Sequence, residues 1–349
     1  MTLSVSQTFT YMRTKLEHIV PPAELMLQAE LVVEIEELKQ EKNAVILGHN
    51  YMEPTLYHTV PDFVGDSLEL ARKSAETSAD IIVFCGVEFM AETAKILNPG
   101  KKVLIPSDRA GCSLAESISA SDVRALKEKH PGVPVVTYVN SYAEVKAETD
   151  ICCTSGNAKA VVNALDSDKV IFIPDEYLAR NIARETGKLL IVPKKNNLGE
   201  LDTEQIYSPN SLISWNGKCE VHEQFSLDDI KMIRSQFPEA VILAHPECSP
   251  DVCEASDFSG STSKMIDYVA KGSAKQFALM TECSMGDNIA AENQDKELLR
   301  LCSIRCPHMA QISLEMTRNA LRDLKYEITL PDEILLKAKK SLDRMLEIA

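Results

Sequence analysis

The chain has 349 residues, of which 45% are hydrophobic and 26% are charged, and its net charge is -15. These values are typical of a globular protein with about two or three modest domains. The negative charge argues against a general nucleic-acid-binding protein, because phosphate backbones attract basic surfaces. No run of roughly 18 apolar residues predicts a membrane span, and no secretion signal is recognisable. We therefore expect a cytoplasmic protein whose ten cysteines are thiols or metal ligands rather than disulfides.

The first predicted element is an N-terminal helical extension, residues 1–43, with an amphipathic helix from about Pro22 to Lys42. Alternating apolar runs and amphipathic stretches then predict an α/β chain with parallel strands. Three of these apolar runs are similar and end in polar residues: AVILGHN at 44–50, PVVTYVN at 134–140 and AVILAHP at 240–246. Each is followed by a small-residue turn and a helix, and then by a second strand and helix. This recurrence indicates an internal repeat.

Each repeat also ends in a turn that contains a cysteine, namely Cys112, Cys219 or Cys306. The last two cysteines are 87 residues apart, whereas the first two are 107 apart, so we predict an insertion near 193–214. We expect three homologous three-layer α/β/α domains around a pseudo-threefold axis. The predicted boundaries are 44–115 for repeat 1, 116–220 for repeat 2 with the insertion, 221–310 for repeat 3, and 311–349 for a C-terminal helical segment that packs on repeat 1.

Three equivalent cysteines could bring three thiolates together at the axis. Such a set suits an iron–sulfur cluster with one iron left unligated, or a zinc site with an open position. The alternative is that each is a small buried residue, the commoner fate of a single cysteine. The proline after Cys306 favours a cluster motif over a redox pair with Cys302. We interpret the seven cysteines without matched partners as core thiols or neighbours of the ligands: Cys85, Cys152, Cys153, Cys248, Cys253, Cys283 and Cys302.

Polar residues follow the first strand of each repeat, where ligand sites of parallel sheets lie. His49 and His245 occupy equivalent positions, and each is either a core histidine or a group that donates a hydrogen bond or moves a proton. Glu247 is a candidate base and Tyr51 a candidate acid. His222 is either a neighbour of the site or part of a solvated turn.

The turns GDS, TSG and GSTS place hydroxyl groups at three helix starts. Such residues are common helix caps. Three helix starts that face one cavity would instead suit a small polyanionic substrate, because helix N-termini attract anions.

The motifs AVILGHNY, GDSLELA, FMAETAKIL, YVNS, TSGNA, CEVHEQF, HPE, GSTS and CPHM together resemble those of the quinolinate synthase family, over roughly residues 44–314. The resemblance implies a [4Fe–4S] cluster held by Cys112, Cys219 and Cys306. It implies condensation of iminoaspartate with dihydroxyacetone phosphate to quinolinate, a step in NAD biosynthesis, and a functional link to L-aspartate oxidase or aspartate dehydrogenase. The implied acid–base residues are His49, Tyr51 and Glu247. The implied substrate-binding residues are His49, Ser67, Met90, Tyr138, Asn140, Ser155, His245, Glu247, Ser261 and Thr262.

Two other classes of function stay open at this point. One is a different lyase or isomerase that holds Zn²⁺ by the three thiolates. The other is a metal sensor or ligand-binding protein without catalytic activity.

Overall fold

The computed structural model describes residues 2–195, 201–202, 208–299 and 303–348. Its frame is three separate parallel sheets, which follow one another along the chain and are flanked by helices. None of the described helices is both long enough and apolar enough to cross a membrane.

Two helices precede the first sheet: α1 (Val5–Leu16) and α2 (Pro22–Glu41). Ser4 caps α1, since its hydroxyl accepts a hydrogen bond from the Gln7 N–H while the Gln7 side chain reaches back. Pro22 begins α2, where a missing N–H costs nothing. One face of α2 is buried and contacts the strand Ala44–His49 and the helix Leu314–Asp323.

The first sheet consists of β1 (Ala44–His49), β2 (Phe63–Gly65), β3 (Ile81–Cys85) and β4 (Lys102–Leu104), with helices α3 (Pro54–Tyr57), α4 (Ser67–Glu76) and α5 (Glu88–Leu97). Its strand order is β2-β1-β3-β4, and all neighbours are parallel. The chain therefore leaves β1 toward one edge and returns to β3 on the other side. The carboxyl ends of β1 and β3 then border the crevice in which α/β sheets bind ligands.

The second sheet consists of β5 (Val135–Tyr138), β6 (Ile151–Cys153), β7 (Lys169–Ile173), β8 (Leu189–Ile191) and β11 (Ser211–Ser214), in the order β6-β5-β7-β11-β8. Its helices are α6 (Ser113–Glu116), α7 (Ala120–Lys129), α8 (Ala143–Ala147), α9 (Ala158–Asn163) and α10 (Glu176–Thr186). Strands β9 (Lys194–Lys195) and β10 (Leu201–Asp202) form an antiparallel pair outside this sheet. Residues 211–214 of the predicted insertion are thus a sheet strand, and 196–200 and 203–207 lie outside the described residues.

The third sheet consists of β12 (Val241–Ala244), β13 (Phe258–Ser259), β14 (Gln276–Met280) and β15 (Glu297–Leu298), in the order β13-β12-β14-β15. Its helices are α11 (Leu227–Gln236), α12 (Pro250–Ala255), α13 (Thr262–Lys271) and α14 (Cys283–Glu292). The first three positions of the strand order recur in all three sheets. Homology of the three units and a pseudo-threefold axis stay predictions.

Each of the later sheets is packed on both faces. In β12, Ile242 and Ala244 belong to one apolar cluster, and Leu243 between them belongs to another. In β7, Ile171 and Phe172 likewise contribute to different clusters. Because successive strand residues point to opposite faces, this alternation means that helices cover both sides of the sheet.

The chain ends in α15 (Leu314–Asp323) and α16 (Asp332–Glu347). Helix α15 packs on α2 and β3, and α16 packs on α8, β6 and α5. The C-terminal segment therefore touches both the first and the second sheet regions. The predicted domain boundaries stay a prediction.

Candidate active site

A single cavity brings together residues that follow strands of all three sheets. Its lining contains nearly all of the predicted site residues: His49, Tyr51, Ser67, Met90, Cys112, Tyr138, Asn140, Ser155, Cys219, His245, Glu247, Thr262 and Cys306. No lysine or arginine is among the described residues that line it. An anion in this cavity would therefore depend on imidazole, hydroxyl and amide donors.

Ser261 is the predicted site residue that does not line the cavity. It is the N-cap of α13, and its buried hydroxyl accepts from the Lys264 N–H at 3.5 Å. The next residue, Thr262, is the first of the helix and lines the cavity. Adjacent residues at a helix start point in different directions, so one faces the helix and the other the cavity.

Both carboxylate oxygens of Glu247 have polar partners in the cavity. Its Oε1 accepts from the Tyr138 hydroxyl at 2.6 Å and from Asn140 Nδ2 at 3.1 Å. Its Oε2 lies 2.6 Å from His222 Nδ1 and 3.7 Å from His245 Nδ1. Burial would raise the pKa of Glu247, but these imidazoles outweigh burial and hold the pKa below its ordinary value. The arrangement favours the carboxylate form.

The two histidines at the equivalent strand ends have the same local geometry. His49 Nδ1 accepts from the Tyr51 N–H at 3.2 Å, and His245 Nδ1 accepts from the Glu247 N–H at 3.4 Å. An accepting Nδ1 places the ring proton on Nε2. Burial lowers the pKa of His49 to about 4 and that of His245 to about 3. Near neutral pH, both rings are therefore neutral donors toward a ligand.

Tyr51 is held by residues of the third sheet region. Its hydroxyl lies 2.6 Å from Thr281 Oγ1 and 3.3 Å from His222 Nε2. Thr281 Oγ1 also lies 2.9 Å from His222 Nε2. Burial raises the pKa of Tyr51 well above its ordinary value, so the phenol keeps its proton.

His222, which sequence reasoning left open, is fully inside this network. It is buried, its ring stacks on His245 at 4.6 Å, and its Nδ1 lies 3.1 Å from Cys219 Sγ. Glu223 beside it is exposed. The Cys-x-x-His spacing from Cys219 to His222, the first residue of a 3-10 helix (His222–Gln224), was the available signal. His308, which belongs to the CPHM motif, also lines the cavity. Thr281 reaches the site as well, and no sequence motif singled it out.

The three matched cysteines sit in turns of the same form. Each sulfur accepts hydrogen bonds from the backbone N–H groups two and three residues later, those of Leu114 and Ala115, Val221 and His222, and His308 and Met309. Burial raises the pKa of Cys112 to about 12 and that of Cys306 to about 11. Burial also raises the pKa of Cys219 well above its ordinary value. A metal would have to displace these protons, and the N–H groups are placed to stabilise the resulting thiolates.

The remaining thiols lie elsewhere. Cys85, Cys152, Cys153, Cys248 and Cys253 are buried free thiols that do not line the cavity. Cys306 is also a free thiol, so it forms no disulfide with Cys302, which lies outside the described residues. Cys283, in contrast, is disulfide-bonded, which corrects the expectation that it is a core thiol.

Within the described ranges, one set of ligand-type side chains is close enough to hold a single metal ion. It consists of Cys219, His222 and Glu247, whose ligand atoms all lie within 4.8 Å of one another. Cys112 and Cys306 line the same cavity but do not belong to this tight set.

The helix starts at the cavity are partly satisfied by their own caps. Asp66 accepts from the Leu68 and Glu69 N–H groups at α4, and Ser261 caps α13. The hydroxyls of Ser67, Ser155 and Thr262, rather than free helix-end amides, are therefore the donors that face the cavity.

The chain is similar to known proteins along nearly its whole length. Residues 33–347 match the family described as quinolinate synthetase A protein. The chain is 49% identical to quinolinate synthase 2 of Mesorhizobium japonicum over 99% of each chain. It is 49% identical to the quinolinate synthase of Agrobacterium fabrum, over 96% of this chain and 90% of the relative. It is 52% identical to that of Xylella fastidiosa, over 89% and 85%. Similarity at this level along nearly the whole length means that the chain belongs to the quinolinate synthetase A family.

Proposed function

We propose that this protein condenses iminoaspartate with dihydroxyacetone phosphate to form quinolinate, phosphate and two water molecules. The carbon, nitrogen, oxygen and hydrogen atoms of the two substrates balance those of the products, so no external oxidant or reductant is required. The observation that carries the proposal is the convergence of three matched cysteines and the strand-end donors of three sheets on one cavity. Relatives that share about half of this sequence bear the name of that activity.

The cofactor of the proposal is a [4Fe–4S] cluster held by Cys112, Cys219 and Cys306. The three sulfurs occupy equivalent turns in which backbone N–H groups point at each of them, which suits cluster thiolates. A single zinc ion bound by these residues would need all three sulfurs within one coordination sphere, and they do not form such a set. When bound, the cluster would supply an iron with an open position, a Lewis acid suited to loss of water.

Tyr51 and Glu247 are the proposed proton donor and acceptor. The buried phenol of Tyr51 keeps its proton and lies beside His222, which connects it to Glu247 Oε2. Glu247 is held as a carboxylate at the end of that path, so a proton can be taken from one side of a substrate and given to the other. His49 would assist as a neutral donor through Nε2.

The substrate's anionic groups would be bound by neutral donors. Ser67, Ser155 and Thr262 face the cavity, and Ser155 Oγ lies 3.3 Å from His245 Nε2. Tyr138 and Asn140 reach the same space from the second sheet and hold Glu247. Met90 would form an apolar wall, and Ser261 would support Thr262 from outside the cavity as the cap of α13.

The cellular context follows from the substrate. Iminoaspartate is an imine that water hydrolyses, so a nearby source is required, for which L-aspartate oxidase or aspartate dehydrogenase is suited. Eight described cysteines are free thiols, which supports a reducing cytoplasm, although Cys283 is disulfide-bonded. We also propose that the three sheets arose by internal triplication, which the repeated strand order and the three equivalent cysteine turns support.

The test is to purify the protein without oxygen, count iron and sulfide, and assay quinolinate from the two substrates. We expect a brown protein with iron and sulfide in equal amounts that forms quinolinate. A colourless protein loaded with zinc would favour a zinc lyase or isomerase instead. A cluster-bearing protein without turnover would favour a sensor.

A further inference from the structure

We propose that Asn181 and Asn288 are positioning residues that hold the loops of Glu247 and Tyr51 across the contacts between sheets. Each asparagine belongs to a helix of one sheet region and donates two hydrogen bonds to the strand-end loop of another. We call this pair of hydrogen bonds its grip on the loop. The significance of the two loops for catalysis rests on the proposed function, whereas the grip itself is geometric.

Asn181 is a buried residue of α10, in the second sheet region. Its Nδ2 donates to the carbonyl oxygen of Pro246 at 2.9 Å and to that of Cys248 at 3.1 Å, and lies 3.4 Å from Cys253 Sγ. Pro246 and Cys248 are the residues on either side of Glu247. One side chain therefore holds the peptide group that precedes Glu247 and the one that follows Cys248.

Asn288 makes the same contact at the other acid–base residue. It is a buried residue of α14, in the third sheet region, and its Nδ2 donates to Asn50 O at 3.2 Å and to Met52 O at 2.8 Å. Asn50 and Met52 lie on either side of Tyr51. Because the peptide group before Tyr51 and the one after Met52 are both held, rotation within the short segment between them is limited, and so is the direction of the Tyr51 side chain.

The orientation of both amides is determined by their partners. Carbonyl oxygens only accept hydrogen bonds, so the amino group must face them. The Oδ1 atoms of Asn181 and Asn288 have no hydrogen-bond partner among the described residues. A buried unpaired acceptor is unfavourable, so the favourable contribution of each side chain must come from its two N–H donors.

The two asparagines are equivalent by position. Each is the sixth residue after the N-cap of its helix, Asp175 in α10 and Glu282 in α14. The third contact between a helix of one sheet region and a loop of another is made by a carboxylate, which accepts a hydrogen bond, instead of an amide. Glu92 of α5 accepts from the Ala143 N–H at 2.8 Å, next to the loop of Tyr138 and Asn140.

These contacts form a cycle through the three sheet regions. Helix α5 of the first reaches the loop of the second, α10 of the second reaches the third, and α14 of the third returns to the first. The catalytic loops are thus held by neighbouring regions in addition to their own sheets, to which Asn50 N–H and His245 N–H donate at Gly65 O and Met280 O. A misplacement of about 1 Å can reduce turnover by roughly 100-fold, so loss of a grip should be visible in kcat.

The test compares Asn181→Leu and Asn288→Leu with Asn98→Leu in the cluster-loaded protein. Asn98 is the matched control, because its buried Nδ2 also donates to two carbonyls, of Ser74 at 2.9 Å and Ala94 at 3.0 Å, away from the cavity. We expect all three variants to lose thermal stability while keeping the same iron content. Only Asn181→Leu and Asn288→Leu should lose kcat, by roughly 10- to 100-fold. If a leucine variant does not fold, serine at the same position gives the same comparison.

Hydrogen exchange of the amides, followed by mass spectrometry, separates the grip from its catalytic consequence. Asn181→Leu should speed exchange in the 245–248 segment and Asn288→Leu in the 49–52 segment, with no crossed effect. Uniform exchange changes, or kcat losses no larger than that of Asn98→Leu, would overturn the inference. If the wild-type protein forms no quinolinate, the proposed function fails, and the exchange pattern alone then supports or overturns the grip.

Discussion

Glu92 provides a quantitative test of the electrostatics of the interior. Its side chain is buried in α5, accepts a hydrogen bond from the Ala143 N–H at 2.8 Å, and lies near the buried Lys146. Burial raises the pKa of Glu92 from 4.5 to about 7, although Lys146 and the N–H oppose this shift. The folded protein therefore holds a proton that the unfolded chain releases at lower pH.

The sign of the pH effect follows from this difference. Because the folded pKa lies above the unfolded one, the free energy of unfolding falls as pH rises between about 4.5 and 7. The complete shift corresponds to about 3 kcal/mol, and the window from about pH 5.5 to 8 contains about 2 kcal/mol of it. Glu92→Gln keeps an oxygen that can accept from Ala143 but cannot ionise, so the variant should lack this loss.

The measurement is urea unfolding of both cluster-loaded proteins, without oxygen, across that pH window. We expect the free energy of unfolding of Glu92→Gln to improve relative to wild type by about 2 kcal/mol from the acidic to the alkaline end. Thr93→Val is the matched control, because it removes a buried hydroxyl that donates to Phe89 O at 2.8 Å and introduces no titrating group. A difference between Glu92→Gln and wild type that stays constant with pH would refute the reasoning.

Two further predictions concern the site. Cys219→Ser should remove the cluster and abolish quinolinate formation, whereas Cys152→Ser, at a buried thiol outside the cavity, should leave both unchanged. Iron and sulfide counts and the anaerobic assay check this prediction. Equal effects of the two substitutions would count against the ligand assignment. Ser67→Ala should raise KM for dihydroxyacetone phosphate or iminoaspartate because its hydroxyl faces the cavity. Ser261→Ala should mainly lower the free energy of unfolding, by about 1 kcal/mol, through loss of a helix cap. Steady-state kinetics and thermal unfolding of both variants distinguish the roles, and a larger KM effect for Ser261→Ala would reverse them.

The features that sequence could predict are local or repeated. The apolar runs of β1, β5 and β12 and the small-residue turns after them depend on neighbours within a few residues, so pattern alone locates them. The cysteines were singled out because three turns share one position. The strand at Ser211–Ser214 escaped notice because its serines look like a loop, although both residues between them are completely buried.

The features that sequence could not predict depend on contacts between distant segments. Thr281 meets Tyr51 across 230 positions in the chain, and Asn288 meets Met52 across 236. No periodicity within either segment encodes such a partner. Ser261 shows the same limit at short range, since a motif cannot tell which of two adjacent residues at a helix start faces the cavity and which caps the helix.

The site also couples its electrostatics to the docking of the sheets. One oxygen of Glu247 is satisfied from the second sheet by Tyr138 and Asn140, while the other faces His222. If the second sheet docked out of place against the third, the carboxylate would stay buried without its partners, and an unpaired buried charge is strongly unfavourable. Glu247, the proposed proton acceptor, thus also favours correct docking of the sheets. The described residues that line the cavity can therefore include no lysine or arginine and still hold an ionised carboxylate.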